Sequence, residues 1–338
     1  MLALSPPASA APSFYRLESA VTLKGAAPDW DYVTLDPTRP YLYIGRRGDG
    51  VIVYDFKTKK VLKTLSDSEK AGAIRLVPEF DRGYTANEDG TTTMFQLSTL
   101  KTLKRIAFGK DADSVFYEPV SKQLVFTMGD SNALAFVDAK TGALAGKLDM
   151  DSHKLDASAP DGQGNLFVAE RDRNRVAKID VQQHKLVAEW NTDGCAQPTG
   201  LAFDAASKRI FIGCRSEKPV LDVLDAQSGK VVASLPIGRG NDGVVFDADT
   251  HKIYTSNGVD ANLVIYDQLD ANTYKLAEAD TTRPYARTMA LDPKTKKVYT
   301  VTAEGTADPA KKINSAVAPF YPNTYFDDTF TVLTYSRK

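Results

Sequence analysis

The 338 residues are 43% hydrophobic and 25% charged, and 42 Lys and Arg face 43 Asp and Glu for a formal charge of −1. That balance makes a nucleic-acid partner unexpected, because general nucleic-acid binding needs a basic face that neutralises many phosphates. No run approaches the roughly 18 apolar residues that span a bilayer, and the ordinary apolar fraction argues against disorder.

The chain opens with MLALSPPASA. The apolar Leu-Ala-Leu, the Pro pair and Ala8-Ser9-Ala10 read as the remnant of a secretory signal over residues 1–10, with the small-x-small pattern that precedes cleavage. The alternative is a loose N-terminal tail. Export to the periplasm or beyond is the expectation, and residues 11–338 then make one domain.

Phe14 to Leu23 is a strand-like run that precedes a repeat. Seven units follow, anchored at positions 36, 77, 118, 160, 204, 247 and 292, with spacings of 41 to 45 residues. Seven residues after each anchor stands an apolar or aromatic residue: Tyr43, Tyr84, Val125, Phe167, Phe211, Tyr254 and Tyr299. Third strands such as VIVYD and LVIYD, a charged or Gly-bearing turn, and fourth strands such as KVLKTL complete the first six units. Each unit can bury both faces only by stacking on its neighbours. The prediction is an all-β seven-bladed β-propeller with four antiparallel strands per blade. The seventh unit lacks a fourth strand, so the N-terminal strand is expected to complete blade seven and close the ring.

Residues 223 to 257, VLDAQSGKVVASLPIGRGNDGVVFDADTHKIYTSN, resemble the YVTN-type repeat, and residues 105 to 138 and 286 to 301 fit the same pattern. The likeness to YncE-like exported bacterial propellers covers essentially the whole chain. Blade four fits less well, and blade seven departs through a long insertion. The resemblance implies architecture and export but no shared reaction, and it raises single-stranded DNA as a ligand that the charge balance disfavours.

In such a ring the first strands line the channel, and the links between blades meet the loops after the second strands on one face. Five residues before the anchors stand Asp31, Gly72, Asp113, Leu155, Thr199, Asp242 and Arg287, with Asp156 one place later. Converging carboxylates suit a divalent cation, calcium or magnesium, so Asp31, Asp113, Asp156 and Asp242 are candidate ligands. Resemblance to lactonase-type propellers also implies a metal there. Each Asp could instead cap a turn. The loops add Arg46 and Arg47, Glu88, Glu170 and Arg171, Arg215 and Asn257, and the last link adds Tyr285 beside Arg287. Arg could clamp a carboxylate or phosphate through paired hydrogen bonds, or serve in surface ion pairs. The expected partner is a small polar or anionic molecule, or a protein.

The insertion between Thr302 and Asp328 carries clustered aromatics, including Tyr321 and Tyr325. It is expected either to cover the mouth or to pack on the outer rim. His153 alone among the three histidines can reach the mouth; His184 and His251 fall in turns on the opposite face, where they are expected to be exposed. Cys195 and Cys214 could form one disulfide or stay as two buried thiols. No zinc-type histidine cluster, nucleophile elbow, phosphate loop or dinucleotide fingerprint is present. The readings are a binding protein, or a metal-dependent lactone hydrolase or lyase.

Overall fold

The computed structural model of the protein describes residues 13–26, 29–311 and 322–338. The segment read as a signal remnant, residues 1–10, lies outside them. Among the described residues no helix is long and apolar enough to cross a membrane.

Seven four-stranded antiparallel sheets form the ring. Blade one is built from Val33–Leu35, Tyr41–Gly45, Val51–Asp55 and Lys60–Thr64. Blades two to six repeat that order, with innermost strands at Ala71–Val77, Ala112–Glu118, Leu155–Pro160, Pro198–Asp204 and Asn241–Asp247. In blade seven Met289–Leu291, Val298–Thr302 and Thr331–Arg337 take the first three places, and Tyr15–Thr22 takes the fourth. Tyr15 pairs with Arg337 and Thr22 with Thr331, so the two ends of the chain close the ring by strand pairing.

The core consists of seams between blades. Seven apolar clusters each draw on two neighbouring blades; Tyr43, Val51 and Val53 of blade one, for example, pack against Ile74, Leu76 and Phe95 of blade two. The seven residues expected at the second-strand core position are all at most 2% exposed. Each buried aromatic or aliphatic side chain contributes about 1.5–3 kcal/mol. Stability is therefore spread evenly around the ring.

The face opposite the mouth is made of short turns whose anchor acids bind backbone. Asp36 accepts from the N–H groups of Thr38 and Arg39, both at 2.9 Å, and Asp292 accepts from Lys294 N–H at 2.9 Å. His251 is exposed there, but His184 is half-buried: its ring stacks on Phe136 at 4.1 Å and its Nε2 meets Gln123 Oε1 at 2.8 Å. That corrects the expectation of two exposed histidines.

Candidate functional site

The mouth of the channel holds a cavity of about 570 Å³ lined by residues from six of the seven blades. Asp31, Asp113, Asp156 and Asp242 all line it, brought together by the repeat register, and so do Arg47, Arg171, Arg215 and Arg287. The two signs alternate. Arg47 bridges Glu88 and Asp31, at 2.5 Å from Asp31 Oδ2. Arg287 reaches Asp31 at 4.0 Å, Asp29 at 3.6 Å and Asp242 at 3.0 Å, and Asp242 is also paired with Arg215. One ion-pair chain thus runs from blade two through blades one, seven and six to blade five.

Blade four supplies a looser pair. Arg171 Nη1 lies 3.8 Å from Asp156 Oδ2, and its Nη2 lies 3.4 Å from Gln197 Oε1. Blade three supplies Asp113, which has no ion pair and no hydrogen bond among the described residues. Burial, with the nearby Asp156 and Asp31 carboxylates, pushes its pKa well above the usual carboxylate range, and Arg47 pulls against that shift. The shift favours the protonated carboxylic acid, which can donate as well as accept. Asp31 is pushed up to about 6 by burial, against the pull of Arg47 and Arg287. Burial and the charge of Asp242 raise Asp156.

Gly72 shows why the ring is uneven. A Cβ there would lie 3.3 Å from Asp31 Oδ2 and 3.8 Å from the Arg47 guanidinium carbon, so the glycine leaves room for that pair. A second cavity of about 720 Å³ opens beside the first and shares Arg47, Asp113, Asp156 and Arg171 with it. Asp113 stands at the junction.

The insertion reaches the mouth. Gly305–Thr306 pairs antiparallel with Thr324–Tyr325, and Lys311 and 322–325 line the first cavity. Tyr325 packs on Trp30 at 4.7 Å, and the Arg287 guanidinium sits 5.4 Å from the Trp30 ring centre. The insertion therefore touches the ion-pair chain through one indole. Tyr321 lies outside the described residues.

Other expected site residues face elsewhere. Arg46 turns away to stack on Phe330 at 4.2 Å and donates to the Ala26 carbonyl at 2.6 Å. Glu170 and Asn257 end their strands with side chains buried inside the blades; Glu170 pairs with Arg175 at 2.9 Å, and Asn257 donates to Asn262 at 2.9 Å. His153 is exposed and lines neither cavity. Tyr285 packs edge-on against Tyr325 at 6.5 Å, behind the cavity wall. Glu88 lines only the second cavity.

The four aspartates are interleaved with arginines, and among the described residues no group of three or more His, Cys, Asp or Glu side chains is gathered closely enough to hold a metal ion. Cys195 and Cys214 form a disulfide with a Cα separation of 5.3 Å. It ties the link into blade five to the strand end beside Arg215, whose N–H donates to the carbonyls of Ala196 and Gln197.

Tyr32 and Asp29 also line the mouth and were not anticipated. A signal for Tyr32 existed: its counterparts in the repeat are Ala73, Ser114, Asp156, Gly200, Gly243 and Thr288, so it is the one bulky residue at a position otherwise small or short.

No family model matches the chain, and no curated protein matches its sequence. Solved structures do share the fold. A chain of the Kuenenia stuttgartiensis hydrazine synthase superposes with a TM-score of 0.70 at 17% identity, over 82% of this chain and 94% of that chain. A chain in a crystal structure of the mitotic checkpoint complex superposes with a TM-score of 0.71 at 14% identity, over 89% of this chain and 94% of that chain. At such identities the likeness is one of fold alone. The propeller is common ground; the mouth chemistry has to be read from its own residues.

Proposed function

We propose that this propeller binds a small polar molecule bearing a carboxylate or similar anion at the channel mouth, and that the YVTN-type resemblance reflects an exported binding protein. The observation that carries the reading is Asp113, the ring carboxyl without a partner among the described residues, which lines both cavities together with Arg47 and Arg171. Arg171 has only long contacts, so its guanidinium can form the paired bonds an anion accepts. Asp113, in the protonated form that its burial favours, donates to a hydroxyl or carbonyl oxygen on the same molecule. Such sites need few polar groups if those groups are fixed, and the ion-pair chain fixes Arg47 on one side.

The test is a thermal-shift and calorimetric panel of hydroxy acids, amino acids and sugar acids against the full chain. A ligand of this reading raises the melting temperature of the wild type and loses affinity in Arg171→Met and in Asp113→Ala. A panel that binds equally well to both variants removes the reading.

A second reading, favoured by the raised pKa of Asp113, is acid–base catalysis on a lactone or in an elimination reaction. A metal-assisted version places calcium or magnesium among Asp31, Asp113, Asp156 and Asp242, and such an ion would have to displace arginine contacts at three of the four. Calcium and magnesium titrations by calorimetry decide that version, and turnover of a lactone panel decides catalysis. Single-stranded DNA finds alternating charge at this mouth, not a basic groove, and titration at physiological salt checks it.

A further inference from the structure

Beneath Tyr32 the innermost strands enclose another cavity, of about 410 Å³. Its wall carries Leu35, Ile74, Phe116, Leu201, Val244 and Met289 from six different blades, interspersed with the hydroxyl side chains of Thr34, Ser114, Ser158 and Thr288. Leu35, Pro160 and Leu291 end their strands, which puts the lower rim at the face of short turns. Two charged residues touch this space. Asp242 belongs to the ring above and is held by Arg215 and Arg287. The other is Arg75.

Arg75 has a different situation from every arginine at the mouth. Its Nε donates to the Val115 carbonyl at a long 3.4 Å, and its guanidinium carbon lies 5.0 Å from the Phe116 ring centre. Among the described residues no carboxylate comes within ion-pair reach of it, and neither terminal nitrogen has a protein acceptor. Burial lowers its pKa to about 10, which leaves it charged at neutral pH. The blade architecture does not require a cation here, since the counterparts in the repeat are Thr34, Phe116, Ser158, Ala202, Val245 and Ala290.

Holding a cation without a carboxylate partner inside the channel opposes folding unless something else satisfies it. A carboxylate is the partner whose two oxygens match the two free ends of the fork. The rest of such a molecule would lie against aliphatic and aromatic side chains, where an apolar body is favoured. We propose that the lower channel binds a monocarboxylate with an apolar body, the carboxylate held by Arg75 and the body by the innermost strands. This site adjoins the polar mouth, with which it shares Tyr32 and Asp242, but its ligand chemistry is different.

Calorimetry on the full chain with octanoate tests the proposal, with octanol as the same body without the charge. Octanoate is expected to bind saturably, octanol about tenfold or more weakly, and Arg75→Met to lower octanoate affinity by about tenfold or more. Arg75→Lys, which keeps charge but not the fork, falls between. If Arg75→Met does not fold, wild-type crystals soaked with 8-bromooctanoate locate the bromine by its anomalous signal, expected inside the lower channel. Failure of the wild type to bind octanoate, equal affinity in Arg75→Met, equal affinity for octanol, or bromine outside the channel overturns the proposal.

Discussion

The Tyr32 hydroxyl lies 3.5 Å from Asp156 Oδ1, so a residue of the link before blade one meets the first strand of blade four across the channel axis. Tyr32 lines both the mouth and the lower channel, and burial, reinforced by the charges of Asp156, Asp31, Asp113 and Asp242, drives its pKa well above the usual phenol value. The phenol therefore stays a donor, and it stands between the mouth and the lower channel. Tyr32→Phe keeps the divider and removes the donor. It should cost about 1 kcal/mol in a denaturant titration, with the fold unchanged by circular dichroism, and should weaken ligands held by Asp156.

Asp113 gives a prediction about pH. Its pKa in the folded protein is raised, so the folded state holds a proton that the unfolded chain releases above about pH 4. Its contribution to stability is thus most favourable below that pH and declines as pH rises toward the folded pKa. Asp113→Asn keeps the shape without the titration. Melting temperatures from pH 4 to 8 should show the variant gaining on the wild type as pH rises, with the two converging at the acid end.

What the sequence made legible follows from periodicity. Strand alternation and the repeat register placed Tyr43 and its six counterparts in the seams, and the same register placed Asp31, Asp113 and Asp242 at one position of the repeat, with Asp156 one place later. What it hid is a matter of single-residue backbone direction. Arg46 and Arg47 are adjacent, and Arg47 takes a left-handed φ of 35°, which sends its side chain to Asp31 while Arg46 goes to Phe330. Glu170 and Asn257 obey strand parity into the blade, whereas Arg171 and Arg215, one step past their strands, are free to turn toward the axis. Charge type alone does not distinguish these neighbours.

The disulfide closes a sequence separation of 19 residues. Constraining the unfolded chain over such a loop is worth about 3 kcal/mol. The Cys195→Ser, Cys214→Ser double variant should melt lower than the oxidised wild type by on the order of 4 °C. Because the bridge also fixes Ala196 and Gln197 beside Arg215 and Arg171, calorimetry should show weaker ligand binding at the mouth. Reduction of the wild type with a thiol should give both effects, and a double variant with wild-type affinity would separate the bridge from the site.

Tyr325 is where the insertion grips the ring. Truncating it exposes one face of Trp30 and removes an aromatic pair worth about 0.5–1.5 kcal/mol beyond its buried area. There are two tryptophans, so a Trp190→Phe background leaves Trp30 as the reporter. In that background Tyr325→Ala should shift tryptophan emission to the red, and the mouth ligand should dissociate faster as the insertion loses its anchor.

Closure of the ring depends on the N-terminal strand, and Tyr15 is its firmest point. Its side chain is buried, its hydroxyl donates to the Lys296 carbonyl at 2.6 Å, and the Arg337 guanidinium lies 4.6 Å from its ring centre. Its backbone N–H also donates to Glu278 Oε2 at 3.1 Å, which ties the closing strand of blade seven to blade six. Tyr15→Ala removes the ring and the hydroxyl together and leaves a cavity in that seam, at a cost of about 3–5 kcal/mol. Melting should fall by on the order of 10 °C. Deleting residues 1–23 goes further, because it bares the edge of Thr331–Arg337 for pairing with another chain. Size-exclusion chromatography should then show higher-order species that the full chain does not form, and a monomeric deletion with wild-type melting would show that blade seven holds without its fourth strand.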